Sequence, residues 1–322
     1  MRRLLSIALA AGLAASGTSA AQSWNMATPY PDATFHTQNV RDFVADIEDA
    51  TDGALSVTVH SAGSLIRHPQ IKRGVRTGQV QMGEVFISLL GSEDPVYAVD
   101  SIPFLATSYE DAERLWEASR EPIESRLEAD GLMLLYAVPW PAQGLYTSRE
   151  VDSVEDLEGL RFRAYNAATS RLAELTGMEA TQVEVPEIPQ AFSTGIVEAM
   201  ITSPTTGVNS KAWDFVDRFY DIQAWLPKNM VIVNREAFES LGEAEQAAVL
   251  EAAAAAEERG WRMSREEAEA QKAALAENGM EVVTPSDTLR EQLAEIGRTM
   301  TEEWLEDTGA DGEAIIEAYR AD

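Results

Sequence analysis

From residue 22 onward, stretches patterned as strands alternate with stretches patterned as helices, and this order restricts the fold more than any other feature of the chain. "ALSVTVHSAG" shows the every-second-residue apolar pattern of a half-buried strand. Ahead of it, "TFHTQNVRDFVADIEDATDG" places Phe35, Val40, Phe43, Val44 and Ile47 at helical spacing and ends on a glycine. "SWNMATPYP" is a short strand-like run closed by prolines, and "HPQIKRGVRTGQVQMGEVFI" is a helix followed by an apolar strand. A helix in "SYEDAERLWEASREPIESRLEADG" leads to a strand in "LMLLYAV". The order resumes with strands in "LRFRAYN", "EATQVEV" and "VEAMITS", separated by helices in "ATSRLAELTG" and "IPQAFSTG". Such alternation predicts an α/β chain with largely parallel pairing. It divides into two lobes joined near residues 140–147, with residues 22–142 in the first and 143–229 in the second.

Residues 243–279 are rich in alanine and glutamate, among the strongest helix formers. Unbroken, this helix runs about 55 Å at 1.5 Å per residue, longer than one lobe. It either spans both lobes or bends near Gly260. Part of 230–260 is expected to return to the first lobe, and the rest of 230–322 to pack as helices across both.

The first 21 residues, "MRRLLSIALAAGLAASGTSAA", carry two arginines, an apolar stretch and then small residues, the pattern of a secretory signal cleaved near Ala21 or Gln22. A periplasmic location follows as the expectation. The chain holds 54 acidic against 25 basic residues and a net charge of -29, so nucleic acid and anionic lipid are poor partners. With no cysteine, disulfides, thiolate metal sites and cysteine nucleophiles are excluded. The three histidines, His36, His60 and His68, form no H-E-x-x-H pair. No P-loop, strand-following G-x-G-x-x-G or nucleophile elbow occurs after residue 21, and neither cofactor nor enzymatic chemistry is expected.

Against that silence stand Arg161 and Arg163, two apart on one predicted strand and so on one face. Arg163 falls toward the carboxyl end, beside a helix that Asn166 or Thr169 can cap, where ligands of open α/β sheets sit. A guanidinium there offers a two-pronged grip on a carboxylate. Arg161 sits nearer the strand entrance, where water or a surface acid is its expected partner. The competing reading gives both arginines to ion pairs within an acid-rich protein. Trp140 in "VPWPAQG", Trp213 in "KAWDF" and Trp225 in "IQAWLPKN" lie in turn-rich segments near the lobe junction, fit for pocket walls or for core packing.

The run "EGLRFRAYNAATSRLAELTGMEATQVEVPEIPQAFSTGIVEAM" resembles the central signature of the solute-binding subunits of TRAP (tripartite ATP-independent periplasmic) transporters, the DctP family. "SAGSLIRHPQIKRGVRTGQVQM", "SIPFL" and the alanine-rich helix extend the likeness over nearly the whole chain after residue 21. Glu198 and Ala199 replace the family's usual Asp-Gly, and Thr202 stands where many members have asparagine. The resemblance implies a two-lobe periplasmic binding protein fold, hinge-linked, that closes on a small organic acid and presents it to a membrane permease. It assigns Arg163 to the ligand carboxylate. Gln143 replaces a second arginine of sialic-acid binders, Phe86 a glutamate of the same group, and Ile201 a metal-ligating glutamate of keto-acid binders. A monocarboxylate and no metal are implied. Gln143 and Thr202 are expected as polar readers and Phe86, Trp140 and Trp213 as walls, with Tyr30, Trp225 and Asn229 added. A periplasmic enzyme using His36 as base and a sensory binding protein are the alternatives, and monomer and dimer both remain open.

Overall fold

The computed structural model describes residues 22–321, so the segment 1–21, expected as an export signal, lies outside the described residues. The first lobe opens with β1 (Gln22–Ala27), α1 (Phe35–Ala50), β2 (Leu55–His60), α2 (Ile71–Arg76), β3 (Met82–Phe86), α3 (Tyr109–Ala129) and β4 (Leu132–Pro139). The second contains β5 (Gly144–Thr147), β6 (Arg161–Ala164), α4 (Ala167–Leu175), β7 (Glu179–Gln182), α5 (Ile188–Ser193), β8 (Ala199–Thr202), α6 (Pro204–Asn209) and β9 (Arg218–Tyr220). The chain then returns through β10 (Lys228–Asn234) and α7 (Arg235–Glu239). It ends with α8 (Glu243–Glu277), β11 (Glu281–Val283), α9 (Asp287–Thr308) and α10 (Ala310–Ala321).

Two sheets result, ordered β2-β1-β3-β10-β4 and β11-β9-β5-β8-β6-β7. The chain re-enters the first sheet at Lys228, inside the stretch the sequence assigns to the second lobe, and β11 joins the edge of the second sheet. The pairing is mixed rather than largely parallel. β10 runs antiparallel to β3 and β4, and β5 antiparallel to β8 and β9. The cause is the crossing itself. β4 ends at the lobe junction and the chain runs straight on into β5, so β5 starts where its neighbours β8 and β9 end. β10 likewise starts at the junction, where β3 and β4 end. The carboxyl ends of the other strands therefore converge on the space between the lobes, the place where open α/β sheets bind ligands.

The two crossover segments are tied together by backbone bonds from Trp140 N to Pro227 O (2.7 Å), Gln143 N to Trp225 O (3.0 Å) and Ala224 N to Gln143 O (2.9 Å). The buried face of α1, which includes Phe35, Val40, Phe43, Val44 and Ile47, packs against α8. α8 is one uninterrupted helix of 35 residues, about 52 Å long. It contacts α1 and β4 in one lobe and α6 and β11 in the other. Gly260 is a contact point, not a break: a Cβ there would collide with Val138 Cγ2 and lie 2.8 Å from Asn39 Nδ2. Among the described residues no helix is long and apolar enough to cross a membrane.

Candidate functional site

A cavity lies between the lobes. The first lobe contributes Tyr30, His68, Phe86 and Leu89 to its lining, the second Arg163, Tyr165, Glu184, Val185, Thr202, Ser203 and Thr206, and the crossover Trp140 and Gln143.

Arg163 is the third residue of β6 and only 2% exposed. Its Nε donates to Val183 O at 2.9 Å, and its guanidinium carbon lies 4.8 Å from the centroid of the Tyr165 ring. Among the described residues it forms no ion pair, and its two Nη groups have no protein acceptor. Burial lowers its pKa to about 10, opposed by nearby Tyr165, Glu184 and Tyr30, so it stays cationic at neutral pH. A buried cation without a bonded counter-charge is costly, and an anion in the cavity removes that cost. Arg161, at the start of β6, is exposed and pairs with Glu198 at 2.6 Å, away from the cavity.

The walls are aromatic. Trp140 and Tyr30 meet edge to face with centroids 5.0 Å apart, and Phe86 meets Tyr165 across the lobes at 5.7 Å. Behind the first pair, Asn229 Oδ1 accepts from Trp140 Nε1 (3.1 Å) and Tyr30 Oη (3.3 Å). Asn229 Nδ2 in turn donates to the buried Glu84 at 2.7 Å, and Thr28 Oγ1 donates to the same carboxylate. Burial pushes the Glu84 carboxyl up to about 7, partly offset by those two hydrogen bonds. His68 Nε2 accepts from Phe86 N at 3.1 Å, and burial lowers its pKa to about 3, so the ring is neutral.

Of the residues singled out in the sequence, Tyr30, Phe86, Trp140, Gln143, Arg163 and Thr202 come together on this cavity. Asn229 stands one layer behind, and Trp225 lies outside the lining with its Nε1 bonded to Tyr165 Oη at 3.2 Å. Trp213 is not on the cavity, because the segment Ala212–Asp214 packs it against the apolar cluster of the second lobe. His36 is also absent from the lining. It is buried with Nδ1 3.6 Å from Glu84, and burial holds its pKa well below normal. Ile201 is buried on β8, and among the described residues no group of three or more His, Asp or Glu is placed to hold a metal. Tyr165 and Glu184 join the cavity from positions with a local signal in the sequence. Tyr165 follows Arg163 at a spacing of two, and Glu184 lies just past the carboxyl end of β7, the strand beside β6. His68 and Leu89 carried none.

Residues 26–307 match the family model of the bacterial extracellular solute-binding proteins, family 7, named DctP. The chain belongs to the DctP family. Its fold matches that of DctP7, a Bordetella pertussis extracytoplasmic solute receptor binding pyroglutamic acid, with a TM-score of 0.92 and 47% identity over 93% of this chain and 100% of that one. DctP6 of the same organism, also described as binding pyroglutamic acid, gives 0.92 and 41% over 94% and 100%. A marine metagenome TRAP solute-binding protein specific for pyroglutamate gives 0.92 and 38% over 94% and 100%. Among curated proteins, the chain spans about half of a solute-binding protein of Albidiferax ferrireducens, 26% identical over 54% of this chain and 52% of that one. DctP proteins are receptors of transport systems, and this chain is a TRAP solute-binding protein.

Proposed function

We propose that this DctP protein captures pyroglutamate or a closely similar small cyclic monocarboxylate, holds its carboxylate on Arg163, and delivers it to the permease subunits of a TRAP transporter. The observation that carries this reading is the buried Arg163 guanidinium, turned to an interlobe cavity and unpaired with any carboxylate among the described residues. Three relatives at 38–47% identity described as binding pyroglutamic acid or pyroglutamate support the ligand. Tyr30, Phe86, Trp140 and Tyr165 supply flat apolar surface for a small ring, with Gln143 and Thr202 as polar contacts. The paired crossover segments act as the hinge on which the lobes close. Residues 1–21 act as an export signal, which places the receptor in the periplasm.

His36 lies off the cavity, and the one histidine on it is neutral and already accepts a backbone N–H, which speaks against the enzyme reading. The test is mass spectrometry of small molecules released from protein purified without denaturation, followed by a thermal-shift screen of organic acids. Recovery of pyroglutamate, or selective stabilisation by it, supports the proposal. A tightly held ligand lacking a carboxylate contradicts it.

A further inference from the structure

The polar groups of the cavity are not symmetric between donors and acceptors. Gln143 Nε2 donates to Pro141 O at 2.8 Å. Of the two ends of the amide only the N–H₂ can donate to a carbonyl oxygen, so this contact fixes which end is which, and Oε1 is left over. Oε1 has no protein donor among the described residues, although the residue is only 3% exposed and lines the cavity. The side chain also has a firm base. Gln143 N donates to Trp225 O and Gln143 O accepts from Ala224 N, so the backbone is bonded on both sides to the returning crossover. A half-buried carboxylate, Glu184, lines the same cavity and when ionised is likewise only an acceptor. A carbonyl oxygen held in this way demands a donor from whatever occupies the site, because a buried acceptor left unpaired is penalised.

We infer that Gln143 is a specificity-determining acceptor, which makes the receptor select monocarboxylates that carry an N–H beside the carboxyl-bearing carbon over isosteres in which oxygen replaces that N–H. The inference rests on the pyroglutamate reading, since pyroglutamate bears its ring N–H on the carbon that holds the carboxylate. Arg163 then takes the carboxylate and Gln143 Oε1 the ring N–H, so charge and ring chemistry are read by separate residues. An oxygen in the ring would set lone pair against lone pair at Gln143, and sites built to bond a ligand N–H discriminate strongly against analogues without it.

The experiment is calorimetric titration of the full chain with pyroglutamate and with its lactone isostere, 5-oxotetrahydrofuran-2-carboxylate, repeated on Gln143→Met. The wild type is expected to bind the lactone about 100-fold more weakly or worse. Gln143→Met is expected to bring pyroglutamate down to the lactone's level while leaving the lactone within about threefold. If the variant does not fold, the wild-type ratio decides alone. Equal binding of lactam and lactone by the wild type overturns the inference and leaves the ligand reading standing. Equal weakening of both ligands in Gln143→Met also overturns it, showing a merely structural role. Failure of the wild type to bind pyroglutamate at all overturns both.

Discussion

Asn166 Nδ2 donates to Ser88 Oγ at 2.8 Å, a buried hydrogen bond that joins the second lobe to the first. Asn166 is also the N-cap of α4, where its Oδ1 accepts from Thr169 N and Thr169 Oγ1 accepts from Asn166 N. One side chain thus follows the strand that carries Arg163, starts the next helix and reaches across the cleft.

Ser88→Ala removes the interlobe bond and leaves the cap intact. It is expected to weaken ligand binding about fivefold, the worth of one hydrogen bond near 1 kcal/mol, through faster release from the closed form. Stopped-flow dissociation kinetics check this, and the melting temperature of the ligand-free protein is expected to move little. An unchanged release rate counts against a closed state held by this bond.

Glu84 gives a pH dependence with a definite sign. Its folded pKa of about 7 lies above the ordinary 4.5, chiefly through burial. The fold keeps this proton between about pH 4.5 and 7 while the unfolded chain loses it, so the contribution to stability is full below that window and lost as the pH rises through 7. Glu84→Gln does not titrate and keeps a carbonyl oxygen to accept from Asn229 Nδ2, while the Thr28 hydroxyl, which donates to Glu84, turns to accept from the new amide N–H. Urea melts from pH 4.5 to 8 are expected to show the variant gaining on the wild type across this window by about 1–3 kcal/mol. A constant difference contradicts the assignment.

Gly260→Ala sets helix propensity against packing. Alanine is worth about 1 kcal/mol more than glycine in a helix. Its methyl group would meet Val138 and Asn39 at contact distances that no real Cβ shows. Overpacking costs about 1–3 kcal/mol, so the net effect is expected to be loss of stability in denaturant unfolding. A stabilised variant would show that α8 sits less tightly on β4 and α1 than described.

The sequence displayed those features that repeat along the chain or span many residues. The buried face of α1, the length of α8 and the strand that carries Arg163 were all legible from periodicity and composition. β5, β9 and β11 were not: three or four residues show no period by themselves, and unlike the equally short β6, β7 and β8 they lie outside the run in which brief strands and helices take turns. β10, "KNMVIVN", is buried along nearly all its length and so lacks the alternation that marks a half-buried strand. The different fates of Arg161 and Arg163, one face but opposite ends of β6, depend on which end meets the other lobe. Glu84 and Asn229 lie 145 positions apart, and nothing local to either announces their bond. Trp213 and Trp140 both sit in irregular segments, and only the path of the chain sends one to a core and the other to the cavity.

The most direct test of Arg163 as the carboxylate anchor is calorimetric titration of pyroglutamate into the wild type, Arg163→Ala and Arg163→Lys. Loss of the guanidinium removes charge-assisted bonds worth about 2–5 kcal/mol, so Arg163→Ala is expected to bind at least about thirtyfold more weakly, with no stabilisation on heating at ligand levels that protect the wild type. Arg163→Lys is expected to fall between, keeping the charge and losing the fork. The ligand-free alanine variant is expected to melt no lower than the wild type, since an unpaired buried cation has been removed. Wild-type affinity in a folded Arg163→Ala protein would contradict the account.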